Sequence, residues 1–459
     1  MAATLRQRSA APSKVKEHDV LASSDSEDEA KESSPLKAHE NDYKPFEVPQ
    51  FGISEILKAI PAHCFERSAL RSSTYVVGDF LMIGALGYAA SYIDPAFNFQ
   101  DGAILNGWQG FAAKWALWSL YWLVQGWVFT GVWILGHECG HQAFSTSKTI
   151  NNTMGLFLHS WVLVPYHSWR ISHAKHHAAT GHMNRDEVFV PRTAAERGLK
   201  LENGKYVPAA PRKKTEVEKG LVLDELLEDA PLYRLGWLLI QQLFGWPAYL
   251  FQNASGQLWY PAWTNHFDPK SLIFDARHRH QVLLSDAFLV GMLTLLTVFG
   301  HYMGGFAAVV KYYGIPYLYT NHWLVMITYL QHTDPSLPHY SADTWNFQRG
   351  ALCTMDRNLL GPVGPFLMHG ICETHVAHHI SSKIPHYHAW EATEALKKFL
   401  GPHYNSTDES MFVSLWKSYR QCRFVDDEGD VLFWRDAYGR KYRNVAPVDV
   451  PSDSGVDLE

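Results

Sequence analysis

Histidine is the residue this chain uses out of proportion, at 25 of 459 positions. It is the commonest metal ligand and the side chain that titrates near neutrality. Eight of the histidines fall into three clusters: His137 and His141 in HECGH, His173, His176 and His177 in HAKHH, and His375, His378 and His379 in HVAHH. On a helix, positions three or four apart share a face, so each cluster presents its imidazoles together. Eight imidazoles exceed what one zinc ion takes, because zinc is four-coordinate in structural sites and has three protein ligands in catalytic ones. They suffice for two irons with positions left open, and imidazole suits iron. Taken singly the clusters read differently. HECGH alone matches the H-E-x-x-H pattern, in which Glu138 would be the general base of a zinc protease. An isolated H-x-x-H-H is more often a surface or buried pair. Three clusters in one chain outweigh both readings and point to a metal site.

The elements that must carry these clusters are apolar. Residues 115–136, 287–310 and 312–333 are near-continuous hydrophobic runs, and 74–93 is another that holds Asp79 near one end. Each approaches the roughly 20 residues that a bilayer core requires. Two shorter runs, 154–166 and 235–251, suit an interfacial or re-entrant helix. Small residues at 83–90 (IGALGYAA) suggest close helix packing. Residues 167–234 and 391–443 are rich in Lys and Arg, whereas 94–112 and 304–314 are not. Positive charge stays in the cytosol, so the two short connections are expected to be lumenal. This predicts an all-α membrane protein with four transmembrane helices in two hairpins, interfacial helices, and a cytosolic helical cap that carries the histidine-rich site. The first cluster then ends the second span and the third follows the fourth, all at one membrane face.

Composition agrees. The chain is 47% hydrophobic and 14% aromatic with 19% charged residues, against about 25% charged in an average soluble domain. A net charge of -6 gives no basic field for nucleic acid, and five scattered cysteines make no disulfide framework. Residues 1–45 are polar and charge-mixed, which predicts a disordered tail, and the absence of an apolar leader keeps it cytosolic. Residues 421–459 are expected to be a cytosolic C-terminal tail, frayed at its end.

HECGHQAFS, HHAATGHMNRDEVFVP, TYLQHTDPSLPHY and ETHVAHHISSKIPHYHAWEATEAL, in this order around two hydrophobic hairpins, resemble the membrane fatty acid desaturases. Within that family they are most similar to fungal and plant oleate Δ12 enzymes. The resemblance covers about residues 46–420, the expected desaturase domain. Two departures matter. Plant members carry a further His where Gln142 stands, which argues against that position as an essential ligand. The third cluster opens on His375 rather than the Gln of front-end desaturases, and no His-Pro-Gly-Gly haem motif is present.

The resemblance implies an oxygen-dependent acyl-lipid desaturase of the endoplasmic reticulum membrane, with both termini cytosolic, that converts oleoyl to linoleoyl chains. It implies two iron ions, dioxygen as co-substrate, and electrons from cytochrome b5 and its NADH-dependent reductase. It also supplies His332 as a ninth ligand, in YLQHTDP at the end of the fourth span. An interfacial histidine would look the same there. No catalytic side chain is expected beyond the metal ligands. Imidazoles leave the charge of two irons uncompensated, so carboxylates are expected to orient them through the outer ring nitrogens. Glu138, Asp186, Asp334 and Glu373 are the candidates by proximity in sequence, with ordinary caps or salt bridges as the competing roles. A Δ15 or bifunctional Δ12/Δ15 desaturase, a hydroxylase on the same scaffold, and an intramembrane zinc protease are the alternatives. Aromatics in spans two and four would line an acyl tunnel or form interfacial belts. Arg192, Arg197, Lys200, Lys205, Arg212, Lys213, Lys214 and Lys219 form a candidate docking patch for the acidic electron carrier. Positive-inside bias would place the same charge there.

Overall fold

The computed structural model describes residues 43–97, 105, 107–209 and 230–447. The expected disorder of 1–45 falls almost wholly outside them, as do Arg212, Lys213, Lys214 and Lys219 of the docking patch and the end of the C-terminal tail.

The chain is mostly helical. After α1 (Ile53–Ala59) comes α2 (Ala69–Ala90), whose first turn is closed by the Ser68 side chain accepting from the Arg71 amide. Next are α3 (Gly107–Gly140), α4 (Lys148–Trp161), capped by Ser147, and α5 (Tyr166–Ala179). A proline at its first position opens α6 (Pro231–Gln252), which carries a second proline, Pro247, inside. The chain continues with α7 (Arg279–Met303) and α8 (Ile315–His332). The last helices are α9 (His375–Ile380), α10 (His386–Leu400) and α11 (Met411–Gln421). Among the described residues three two-stranded pairings interrupt this pattern, so the fold is not purely helical. One is a hairpin of β1 (Leu199–Glu202) with β2 (Lys205–Pro208). Its turn is Asn203–Gly204, with φ of 52° and 76°, the left-handed pair that Asn-Gly favours. That dipeptide was a legible turn signal.

Among the described residues, two helical stretches, Ala69–Ala96 and Ala276–Met303, are long and apolar enough to cross a membrane. The other two expected spans lie in α3 and α8, where Trp, Tyr, Asn and Gln dilute the apolar character. The expected boundary at 304–314 shifts. The α7 helix ends at Met303 on Gly304 (φ 96°) and Gly305 (φ 104°), and the chain is helical again from Phe306 through a π turn at Val310–Gly314 into α8. Two adjacent glycines that tolerate positive φ place the turn there.

The centre of the molecule is the second half of α3, where nearly every residue from Gln125 to Cys139 is buried. It packs on α2, α4 and α8. Close approach depends on glycine: a Cβ at Gly126 would stand 2.4 Å from Tyr319 Cβ, and one at Gly136 2.1 Å from His159. The glycines within 83–90 do not serve this purpose, since a Cβ at Gly84 or Gly87 would meet nothing within 4 Å, although Ala90 packs on Trp118 and Tyr121. Apolar side chains such as Leu81, Leu239, Phe244, Val290 and Leu295 face outward from α2, α6 and α7, a band far larger than a water-facing surface normally exposes.

Residues beyond 421 are not a free tail through 447. Phe424, Val425, Phe433 and Trp434 are buried, and Val431–Leu432 pairs with His339–Tyr340. Phe46 donates its amide to Asn444 O at 2.8 Å and accepts from Ala446 N at 2.9 Å, which joins the two ends of the described chain. The apolar residues in this stretch explain the outcome: they give it something to bury.

Candidate metal centre

Four helices converge on one chamber. His137 lies in the last turn of α3 and His141 just past it. His173, His176 and His177 lie on α5, His332 is the final residue of α8, and His375, His378 and His379 lie on α9. The nitrogens sort into two groups. His137, His141, His173, His177 and His378 bring one donor atom each within 4.8 Å of all the others, and so do His176, His332 and His379. His375 joins the second group, its Nε2 3.1 Å from His332 Nε2. In the first group His177 Nε2 is 3.2 Å from both His173 Nε2 and His378 Nε2. Imidazoles bound to one cation at about 2.1 Å hold neighbouring nitrogens roughly 3 Å apart, so the spacing fits two cations.

The chamber fits metal on a second count. Ring nitrogens of His137, His141, His176, His375 and His379 are buried without a hydrogen-bond partner, which is costly unless something else takes the lone pair. Burial first, and the neighbouring imidazoles second, hold His173, His177, His375, His378 and His379 well below the usual histidine range. The rings are therefore neutral, the form that binds metal.

Of the four carboxylates expected to orient these rings, one reaches an imidazole. His176 donates its Nδ1 proton to Asp186 Oδ1 at 2.6 Å, which leaves Nε2 directed at the second group. Asp186 is itself fixed by the Gly181 amide at 2.8 Å. Glu138 instead accepts from the His386 amide at 2.9 Å. It is not placed as the general base of an H-E-x-x-H protease. Asp334 pairs with Arg357 at 2.6 Å and accepts from Ser336. Glu373 is buried with both oxygens unpartnered, and burial pushes its carboxyl up to about 7. Gln142 is held away from the chamber by its own backbone (φ 62°), with its side chain on Cys139 O.

Three residues without a motif hold these histidines in place. Thr180 sets its hydroxyl 3.3 Å from His379 Nδ1 and donates to His176 O. Asp356 accepts the Val376 amide at 2.8 Å, on the first turn of α9, and is held from behind by Tyr404. Arg357 spans from Leu330 O to Asp334, and its amide reaches Cys372 O, so it braces the end of α8 against the approach to α9.

A cavity of about 320 Å³ opens onto His137, His173, His176, His332 and His375. Its far wall is Gln241, Gly245 and Trp246 of α6 with Val325 and Thr328 of α8. Trp133 of α3 and Tyr329 of α8 line it, while Trp108 and Trp115 face outward, so the aromatics divide between cavity and surface. A larger cavity of about 680 Å³ lies beside the buried Asp79–His369 pair and touches none of the nine imidazoles. Of the remaining histidines, His159 is buried against Trp133 O and His266 against Ser172.

Comparison with known proteins gives the same picture over most of the chain. Residues 113–410 match the family model described as fatty acid desaturase, and residues 3–90 match a domain of unknown function. The chain is 48% identical over 403 residues to a Δ12 fatty acid desaturase of Mortierella isabellina, covering 88% of this chain and 95% of that one. An endoplasmic reticulum omega-6 desaturase isozyme of Glycine max is 42% identical, over 85% of this chain and 92% of its own. An oleate hydroxylase of Claviceps purpurea is 40% identical, over 85% and 82%.

Proposed function

The chain belongs to the fatty acid desaturase family, and from that membership we propose that it inserts a second cis double bond at Δ12 of oleoyl chains to give linoleoyl chains. The observation that carries the reading is the apolar cavity ending on a wall of five imidazoles, in a chain nearly half identical to Δ12 desaturases. The nine histidines His137, His141, His173, His176, His177, His332, His375, His378 and His379 would hold two iron ions. Bound there, the irons supply what no side chain can, the activation of dioxygen for removal of two hydrogens from unactivated methylenes.

The protein's own part is placement and exclusion of water. An acyl chain lying between α6 and α8 would pass Gly245, where a Cβ would come within 3.2 Å of Val325, and reach the imidazoles at its middle. Trp133 and Trp169 close the wall beside His137 and His173, so the methylenes are presented in a dry chamber. Asp186 keeps the Nδ1 proton of His176 in place, and Thr180 sets the orientation of His379. Each turnover consumes dioxygen, two electrons and two protons. We assign the electrons to cytochrome b5 and its NADH-dependent reductase, and the enzyme to the endoplasmic reticulum membrane as a four-span protein.

The test is expression in a yeast that makes no polyunsaturated fatty acids, followed by methyl-ester analysis with double-bond location. Linoleate as the main new product is expected. A Δ15 product, or a hydroxylated oleate as the name of the Claviceps oleate hydroxylase would suggest, would replace the Δ12 assignment.

A further inference from the structure

Away from the chamber, a single 3-10 turn (Ala62–Phe65) lies against α10. It brings three different donor types together. His63 Nε2 stands 2.7 Å from Glu391 Oε2 and 3.9 Å from Cys64 Sγ. All three donor atoms lie within 4.8 Å of one another. His388, one turn before Glu391 on α10, sets its ring 5.7 Å from that of His63. We propose that His63, Cys64 and Glu391, with His388 as the fourth ligand, form a second metal site for a zinc-class divalent cation.

The donor chemistry selects the ion. Thiolate, imidazole and carboxylate together suit a borderline-soft cation, whereas calcium and magnesium take oxygen alone. Bond lengths of about 2.3 Å to sulfur and about 2.0 Å to nitrogen and oxygen separate tetrahedral ligands by roughly 3.3–3.6 Å. The observed 2.7 and 3.9 Å bracket that range, so small side-chain rotations suffice. The site also has a mouth and a floor. The His63 and Glu391 side chains are 49% and 52% exposed, while Cys64 is fully buried beneath them. A half-exposed His–Glu pair by itself contributes little and gives no reason for a thiol at its base. Metal binding gives one, since Cys64 Sγ lies within 4.8 Å of both other donors. The ion would tie the segment after α1 to α10, the helix that follows the third histidine cluster.

Cobalt(II) distinguishes this site from the chamber, because a thiolate ligand produces a near-ultraviolet charge-transfer band that an all-imidazole site does not. Full-length protein already loaded with iron, titrated with cobalt(II), should develop that band to one equivalent, and zinc should erase it. Cys64→Ser should abolish the band. His63→Ala and Glu391→Gln should each raise the cobalt Kd at least about tenfold. Iron content should stay unchanged in all three variants, and Cys139→Ser should retain the band. Lack of the band in the wild-type protein, or its persistence in Cys64→Ser, would overturn the proposal. Should Cys64→Ser not fold, Glu391→Gln with unaltered cobalt affinity would overturn it equally.

Discussion

Asp186 decides which nitrogen His176 offers. A carboxylate 2.6 Å from Nδ1 fixes the tautomer before any metal arrives. Replacing Asp186 by Ala should weaken iron binding by about 10–100-fold, read as iron retained per chain under chelator competition, and unchanged retention would remove it from that role. His332→Ala should lower both iron content and linoleate yield. Gln142→Ala should leave both near wild type, and a loss there equal to that of a cluster histidine would refute the assignment. The clustered histidines were legible because helical spacing alone predicts a shared face. His332 stands alone in sequence, and only the family resemblance pointed to it. The carboxylates chosen by proximity fared unevenly for a geometric reason. Glu138 follows His137 by one residue on a helix and so points about 100° away from it. Asp186 lies past the helix end, where a turn carries it back. Thr180, Asp356 and Arg357 act through contacts to backbone atoms and to side chains distant in sequence, which leave no motif.

At the scale of the elements, the buried Arg357–Asp334 pair holds the end of α8 to the strand of chain that leads into α9. Both side chains are nearly inaccessible, at 2% and 5%. Arg357→Ala would leave Asp334 buried without its counter-charge, which costs about 3–5 kcal/mol. Thermal unfolding in detergent should show a large drop in midpoint, whereas Lys397→Ala, at an exposed ion pair, should show almost none. The helices themselves were readable from their apolar runs. The joint after α7 was readable only to within residues 304–314, because Gly304–Gly305 and the π turn after them lie in a hydrophobic stretch whose one charge is Lys311. The packing glycines were misplaced for a similar reason: small residues mark close approach only when another helix is there, and α2 presents Gly84 and Gly87 to the outside.

For the whole molecule, the meeting of Phe46 with Val445 restricts topology. Two points in contact lie on one side of any membrane the chain crosses, so the number of crossings between them is even. At the other end, Lys311 and Lys114 both meet Asp94, which brings the two short connections together. Glycosylation-acceptor tags at Gly304–Gly305 should therefore be modified and tags at 200 or 270 should not. A modified tag at 270 would refute the four-span arrangement.

The chamber draws on distant parts of the chain, since His177 and His378, whose nitrogens touch, are 201 positions apart. At roughly 5–20 residues per second, a ribosome needs about 10–40 s to make the second after the first. Four of the five donors in that group are thus finished, and waiting, well before the last one exists. A cation that needs all five donors cannot be held until His378 has been made, and until then the nascent clusters are open to whatever cations the cell offers.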